Sequence, residues 1–314
     1  MRDLQDVDSL LLKELKSCCA TEYNFLPRET GLKLMESAST ENHSGVSAKC
    51  RDTRVEELWS LTSFFGYCTQ TFVQAVNLLD RFLTIMKVQP KHLPCIGVCC
   101  LHIAAKMVEE ESNVSPTHEL IRISQSKFTV SDLCRMEKII SEKLSVEPKA
   151  VTALTFLHLY YSAFTSLSAG REEIPSIGRL EAQLKACLCR LVFSKAKPSV
   201  LALALIAQEF EAPQSVMLLK TVQQFQRHVK MFPVFLLLFR SVTVSYSTGR
   251  NMWPSAWWST ARANATNQTT KSLFGSCQGG RLRISKLVTS VCPVCQLFPR
   301  EAGMKARART PVRT

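Results

Sequence analysis

The sequence predicts an all-α protein made of two consecutive helical bundles, and three observations carry that expectation. Apolar residues between positions 51 and 230 recur at three- and four-residue spacing, the period of helices with one buried face. No part of that region keeps the strict polar–apolar alternation of a half-buried strand. The segment LHIAAKMVEEE at 101–111 also has a weaker echo in LALIAQEFEA at 203–212, which marks a repeated unit.

Taken in order, the first helix is predicted from Arg51 to Phe65. A second begins after Thr69, where Phe72, Val76, Leu79, Phe82, Leu83 and Met86 share one face while Gln74, Asn77, Arg81 and Lys87 are expected to point elsewhere. The third, roughly Lys91 to Glu111, tolerates Pro94 in its first turn and has almost no polar residue between Cys95 and Ala105. A helix apolar on all sides belongs at the centre of a bundle. A short helix, His118 to Ile123, follows. Thr129 and Asp132 then form the [ST]-x-x-[DE] start of a helix carrying Leu133, Met136, Ile140 and Leu144. The second cycle comprises Ala153 to Phe164, a helix with Leu180, Leu184, Leu188 and Leu191 on one face, a helix opened by Pro198, and Val216 to Val229. Residues 165–178, with Ser, Gly and Pro175, are expected to form a loop inside it.

Composition narrows the functional classes. The chain has 314 residues, 46% hydrophobic and 21% charged, a globular balance that excludes collagen-like, fully disordered and disulfide-scaffold readings. The opening MRDLQDVDS has no apolar core of a signal peptide, and Met231–Phe239 is far short of the ~20 residues of a membrane span. The expectation is a protein neither secreted nor embedded in a membrane. Its 13 cysteines are then expected as reduced thiols. Cys292-Pro-Val-Cys295 lacks the second ligand pair of a zinc site, so no metal and no cofactor are expected.

The net charge of +13 suggests nucleic acid at first sight, but its distribution argues otherwise. Residues 231–314 hold 12 Lys/Arg and one acid, Glu301, leaving residues 1–230 with 27 basic and 25 acidic residues. A nearly neutral body has no basic stripe for phosphates. No nucleic-acid partner and no membrane partner are expected.

Three motifs, NLLDRFL (77–83), AAKMVEE (104–110) and RMEKII (135–140), resemble in order and spacing the cyclin box, the five-helix domain through which cyclins bind protein kinases. The agreement extended by QPKHL (89–93), LIRISQ (120–125), LEAQLKAC (180–187) and FSKAKPSVLAL (193–203) is similar to G-type cyclins and covers about residues 25–230. The resemblance implies a cyclin-box helical bundle divided as follows: a helical extension at 1–45, a five-helix first box at 46–148, and a second, incomplete box at 149–230. It implies a non-catalytic regulator that binds a cyclin-dependent serine/threonine kinase and acts on cell-cycle progression. It also implies an alternative, an adaptor for protein phosphatase 2A regulatory subunits in a p53-linked stress and growth-restraint response. The implied location is nucleus and cytoplasm.

Residue by residue, the kinase-gripping Lys and Glu of the family match Lys106 and Glu137. The family's internal Arg/Asp pair, which fixes the first helix of the box, matches Arg51 and Asp80. Two plainer readings stand beside the first pair: Lys106 as a lysine snorkelling off a buried helix, and Glu137 as a solvated acid. The second cycle has Gln208 where the first has Lys106. Cyclins that dock substrates carry an apolar segment with a nearby Trp on the first helix. Here that stretch is Cys50-Arg51-Asp52-Thr53-Arg54, with Glu57 at the Trp position, so the apolar dock is expected to be absent.

Tests for catalysis fail. Glu109, Glu110 and Glu111 are consecutive on a helix and point in different directions, so they read as a solvated helix end rather than a paired acid and base. No Gly-rich phosphate loop, HRD or DFG triplet, or GxSxG elbow occurs. The likeness to G-type cyclins stops near Lys230. A one-nucleotide shift of a coding sequence for the segment that follows permits an amphipathic helix, so residues 231–314 are expected to be an out-of-frame, poorly folded tail. Its two sequons at Asn264 and Asn267 then carry no function.

Overall fold

The computed structural model describes residues 2–38, 45–144, 150–168 and 176–210. The predicted helix at Val216–Val229, the side chain of Gln208, the CxxC and the tail lie outside the described residues. The order is α1 (Arg2–Thr21), a 3-10 turn (Glu22–Phe25), α2 (Glu29–Ser37), α3 (Ala48–Phe65), α4 (Thr69–Ile85), α5 (Leu93–Val108), α6 (Thr117–Ile123) and α7 (Val130–Lys143). Then come α8 (Ala153–Ser168), α9 (Ile177–Leu188) and α10 (Pro198–Phe210). Among the described residues there is no strand.

Local chemistry sets the helix ends. The Ser47 side chain accepts a hydrogen bond from the Cys50 amide at 3.3 Å, opening α3. Gly66 ends α3 in the left-handed region at φ 69°, a conformation that costs a residue with a Cβ more than it costs glycine. Thr129 and Asp132 form the predicted capping box at the start of α7.

α5 is the axis of the first bundle. It packs against α4, α7, α3 and α6, and every residue from Cys95 to Ala105 is buried. By length and hydropathy alone, Pro90–Val108 could cross a membrane, but the stretch is 67% buried by the helices wrapped around it. It is shorter as an α-helix than the pattern predicts, because Pro90–His92 and Glu111–Asn113 form separate 3-10 turns at its two ends.

α4 departs from its expected one-sided burial. Gln74 is only 3% exposed, Asn77 donates from Nδ2 to the Phe25 carbonyl at 2.9 Å, and Arg81 lies over the Phe25 ring. The physical reason is a second layer: the extension covers the polar side of α4, with α2 against it, while α9 approaches from the other unit. Gly31 permits that contact, since a Cβ there would lie 2.5 Å from the Thr84 backbone.

The second unit is built on the pair α8 and α10, with α9 across both. Leu180, Leu184, Leu188 and Leu191 are all buried, although Leu191 sits in a 3-10 turn after α9 rather than on it. The expected loop is shorter than 165–178, because α8 continues to Ser168 and α9 starts at Ile177. Glu22, 4% exposed, accepts from the Ser199 amide and hydroxyl at 3.2 Å each. A carboxylate at the first turn of α10 complements the helix dipole and ties the extension to the second unit.

Candidate partner-binding site

Among the described residues, two ion pairs join helices of the first bundle, and the structure gives them opposite surroundings. Arg51, on α3, has no exposed surface. Its Nε donates to Asp80 Oδ1 at 2.8 Å and its Nη2 to Asp80 Oδ2 at 2.7 Å, a bidentate fork matched to the carboxylate plane. Nη1 donates to the Leu188 carbonyl at 2.8 Å and to Asp52 Oδ1 at 3.2 Å. Nη2 also reaches Ser194 Oγ at 3.1 Å, and that hydroxyl donates to Asp80 Oδ2 at 2.7 Å. Every guanidinium N–H thus has an acceptor, which is what burial of a charge demands. Burial disfavours the cation, but Asp80 and then Asp52 outweigh it and hold the Arg51 pKa above its ordinary value.

Because Leu188 and Ser194 belong to the second unit, this pair does more than fix α3 on its own bundle. Asp52 Oδ1 also accepts from the Leu191 amide at 2.8 Å, and Arg190 Nη1 donates to Glu56 Oε1 at 2.5 Å. Burial pushes the Asp52 carboxyl up, against the pull of Arg51 and Arg190. One helix surface of α3 therefore holds the connector between α9 and α10. Sequence reasoning did not assign roles to Asp52, Glu56, Arg190 or Ser194, whose partners lie more than 100 residues away along the chain.

Lys106 and Glu137 form the other pair. Lys106 closes the last turn of α5, where a cation is favoured by the dipole, and Glu137 projects from α7. The two are bonded to each other at the surface, with side chains 43% and 26% exposed. α7 is held there by Leu133 and Ile140, both with no exposed surface, and by its capping box. One turn before Lys106, His102 is 8% exposed and its Nδ1 has no hydrogen-bond partner. Burial, then the neighbouring Lys106, lowers its pKa from 6.5, with Glu137 opposing.

Two neighbouring features bear on function. The Arg54 and Glu57 side chains pair along α3, and a Cβ at Gly97 would lie 2.8 Å from Arg54 Cδ, so the arginine stem is laid directly over α5. The acidic run at the end of α5 divides. Glu110 and Glu111 are exposed as expected, whereas Glu109 Oε1 accepts from the Cys68 amide at 2.8 Å and from the Thr71 hydroxyl. Glu109 caps α4 rather than standing in solvent; the sequence signal was a carboxylate just past a helix end, with no hint of which helix it serves. Among the described residues no cluster of His, Cys, Asp and Glu could hold a metal. The buried thiols of Cys99, Cys100 and Cys187 are raised by burial, which makes them poor nucleophiles.

Comparison with known proteins agrees with this architecture. A family model described as the N-terminal domain of cyclin matches residues 21–147. The chain is 51% identical over 253 residues to Mus musculus cyclin-G2, covering 78% of this chain and 73% of that protein. It is 56% identical over 210 residues to Homo sapiens cyclin-G2, covering 67% of this chain and 61% of that protein. To Homo sapiens cyclin-G1 it is 52% identical over 222 residues, covering 70% and 75%. Among solved structures, a viral cyclin from herpesvirus saimiri superposes with a TM-score of 0.50 at 19% identity, over 74% of this chain and 98% of that one, a likeness of fold. An all-α cyclin-box bundle, with the identity shared over most of its length, makes this chain a member of the cyclin G family.

Proposed function

We propose that the chain is the regulatory subunit of a cyclin-dependent serine/threonine kinase, acting on cell-cycle progression by binding rather than by chemistry. The observation that carries the reading is the Lys106–Glu137 pair. It is exposed, it spans two helices of the first bundle, and by resemblance it matches the Lys and Glu with which cyclins grip their kinase. A charge pair at the surface contributes little to folding, so its fixed placement on a buried scaffold is better explained by a partner. Binding exchanges the intramolecular pair for contacts to the kinase. The division into boxes at 46–148 and 149–230, and a location in nucleus and cytoplasm, belong to the same reading.

A second reading, an adaptor for protein phosphatase 2A regulatory subunits, is favoured by Arg54 and Glu57. Their ion pair lies on the helix surface where substrate-docking cyclins expose an apolar segment. A charged surface suits a different partner. The test is affinity capture from cells with the full chain and with its Lys106→Ala/Glu137→Ala double variant, partners being identified by mass spectrometry. Loss of a kinase in the double variant supports the first reading. Capture of phosphatase subunits by both, with no kinase, replaces it by the second.

A further inference from the structure

A groove of about 410 Å³ lies between the two helical units, with Trp59, Tyr67, Thr69, His158, Glu181 and Lys185 among its lining residues. Its volume is that of a ligand pocket, and the kinase-gripping pair is not part of it. The floor is aromatic: Trp59 is 6% exposed and Tyr67 is 7% exposed. One wall is the start of α4, whose N-terminal end is already met by a carboxylate: Glu109 Oε1 accepts from the Cys68 amide at 2.8 Å and from the Thr71 hydroxyl.

The charges on the opposite wall are unevenly satisfied. Glu181 on α9 is occupied on both oxygens, by His158 Nε2 at 2.8 Å and by the Thr69 hydroxyl at 2.6 Å. Lys185, one turn further along α9, is not. Its ammonium lies 5.9 Å from the centre of the Trp59 ring, and among the described residues no carboxylate pairs with it. Burial lowers its pKa, with Glu181 partly opposing. By contrast Arg51, Arg190 and Lys195 all have carboxylate partners. A partly desolvated ammonium over an aromatic floor has three donors to offer and nothing anionic to receive them.

We infer that this groove docks an acidic peptide segment of a partner protein, with a carboxylate pairing to Lys185 and an adjacent apolar side chain resting on Trp59 and Tyr67. Charge complementarity selects the occupant. Lys185 calls for an anion, while Glu181, one turn away on the same helix, repels a dianion. A single carboxylate therefore suits the site better than a phosphate. Trp and Tyr are enriched among the residues that carry most of the energy of protein interfaces. The exposed Gln70 on the rim can bond the peptide main chain.

The test labels the full chain with 5-fluorotryptophan and assigns the Trp59 resonance by its loss in Trp59→Phe. The probe is N-acetyl-Glu-Phe-amide. A saturable shift of the Trp59 signal is expected, with affinity weakened about 10-fold or more by Lys185→Met or by N-acetyl-Gln-Phe-amide. N-acetyl-phosphoserine-Phe-amide is expected to bind more weakly than the Glu probe. Lys185→Glu is expected to take N-acetyl-Lys-Phe-amide instead, which keeps the test meaningful if Lys185→Met perturbs packing. The Lys106→Ala/Glu137→Ala variant is expected to bind the probe unchanged, separating this groove from the kinase reading. No saturable shift, equal binding of the Gln probe, undiminished binding by Lys185→Met, or tighter binding of the phosphoserine probe overturns the inference.

Discussion

Arg51–Asp80 and Lys106–Glu137 are chemically alike, each a basic residue on one helix paired with an acid on another, and they differ in burial. The first is sealed, with Arg51 at 0% exposure and every donor used. The second stands in solvent with side chains 43% and 26% exposed. Breaking a buried pair strands a charge in low dielectric, whereas an exposed pair exchanges its partner for water at little cost. Burial thus assigns the first pair to stability and leaves the second available to a partner, a separation that residue type alone does not make.

The largest effect is expected at Asp80. Replacing it with alanine leaves the Arg51 cation buried with weaker partners, at a cost of about 3–5 kcal/mol, measured as a lower midpoint in chemical denaturation. A change below about 1 kcal/mol would break the comparison, because it would put the buried pair in the class of surface pairs. Ser194→Ala removes a hydroxyl shared by Arg51 and Asp80 across the two units and is expected to cost about 2 kcal/mol. Its effect should differ from that value in an Asp80→Ala background, since neighbours in one network do not add. Thr129→Ala deletes the capping box of the helix that carries Glu137 and is expected to cost about 1 kcal/mol.

His102 sharpens the contrast through pH. Its folded pKa lies below the ordinary 6.5 because the ring is buried beside Lys106. The unfolded imidazole therefore takes up a proton that the folded one refuses. Stability from this group is complete above the ordinary value and falls as the pH drops below it. His102→Leu should flatten that part of the profile, seen by comparing unfolding at about pH 7.5 and about pH 5.5; an unchanged slope would place the pH dependence elsewhere.

Much of the fold was legible in local pattern. The apolar run of α5 announced a central helix, and the Thr129/Asp132 spacing announced a helix start that the structure repeats bond for bond. What was not legible depends on contacts between distant segments. The pattern puts Gln74 and Asn77 off the buried face because period alone knows nothing of what packs there: Gln74 is buried, and Asn77 is bonded to the extension through the Phe25 carbonyl. Glu109 read as one of three surface acids, yet it is the one that reaches back to cap α4. Arg51 and Asp80 could be paired through family likeness, but their hold on Leu188 and Ser194 spans more than 100 residues, and no motif encodes it.

The most direct measurement follows the Lys106→Ala/Glu137→Ala variant in two assays at once: affinity for the kinase captured by the parent chain, and unfolding free energy. The account predicts a kinase affinity weakened about 30-fold or more, the scale of an interface hot spot above 2 kcal/mol. It predicts a stability change within about 1 kcal/mol, as for other exposed pairs. Unchanged affinity, or a loss of stability as large as that of Asp80→Ala, would contradict it.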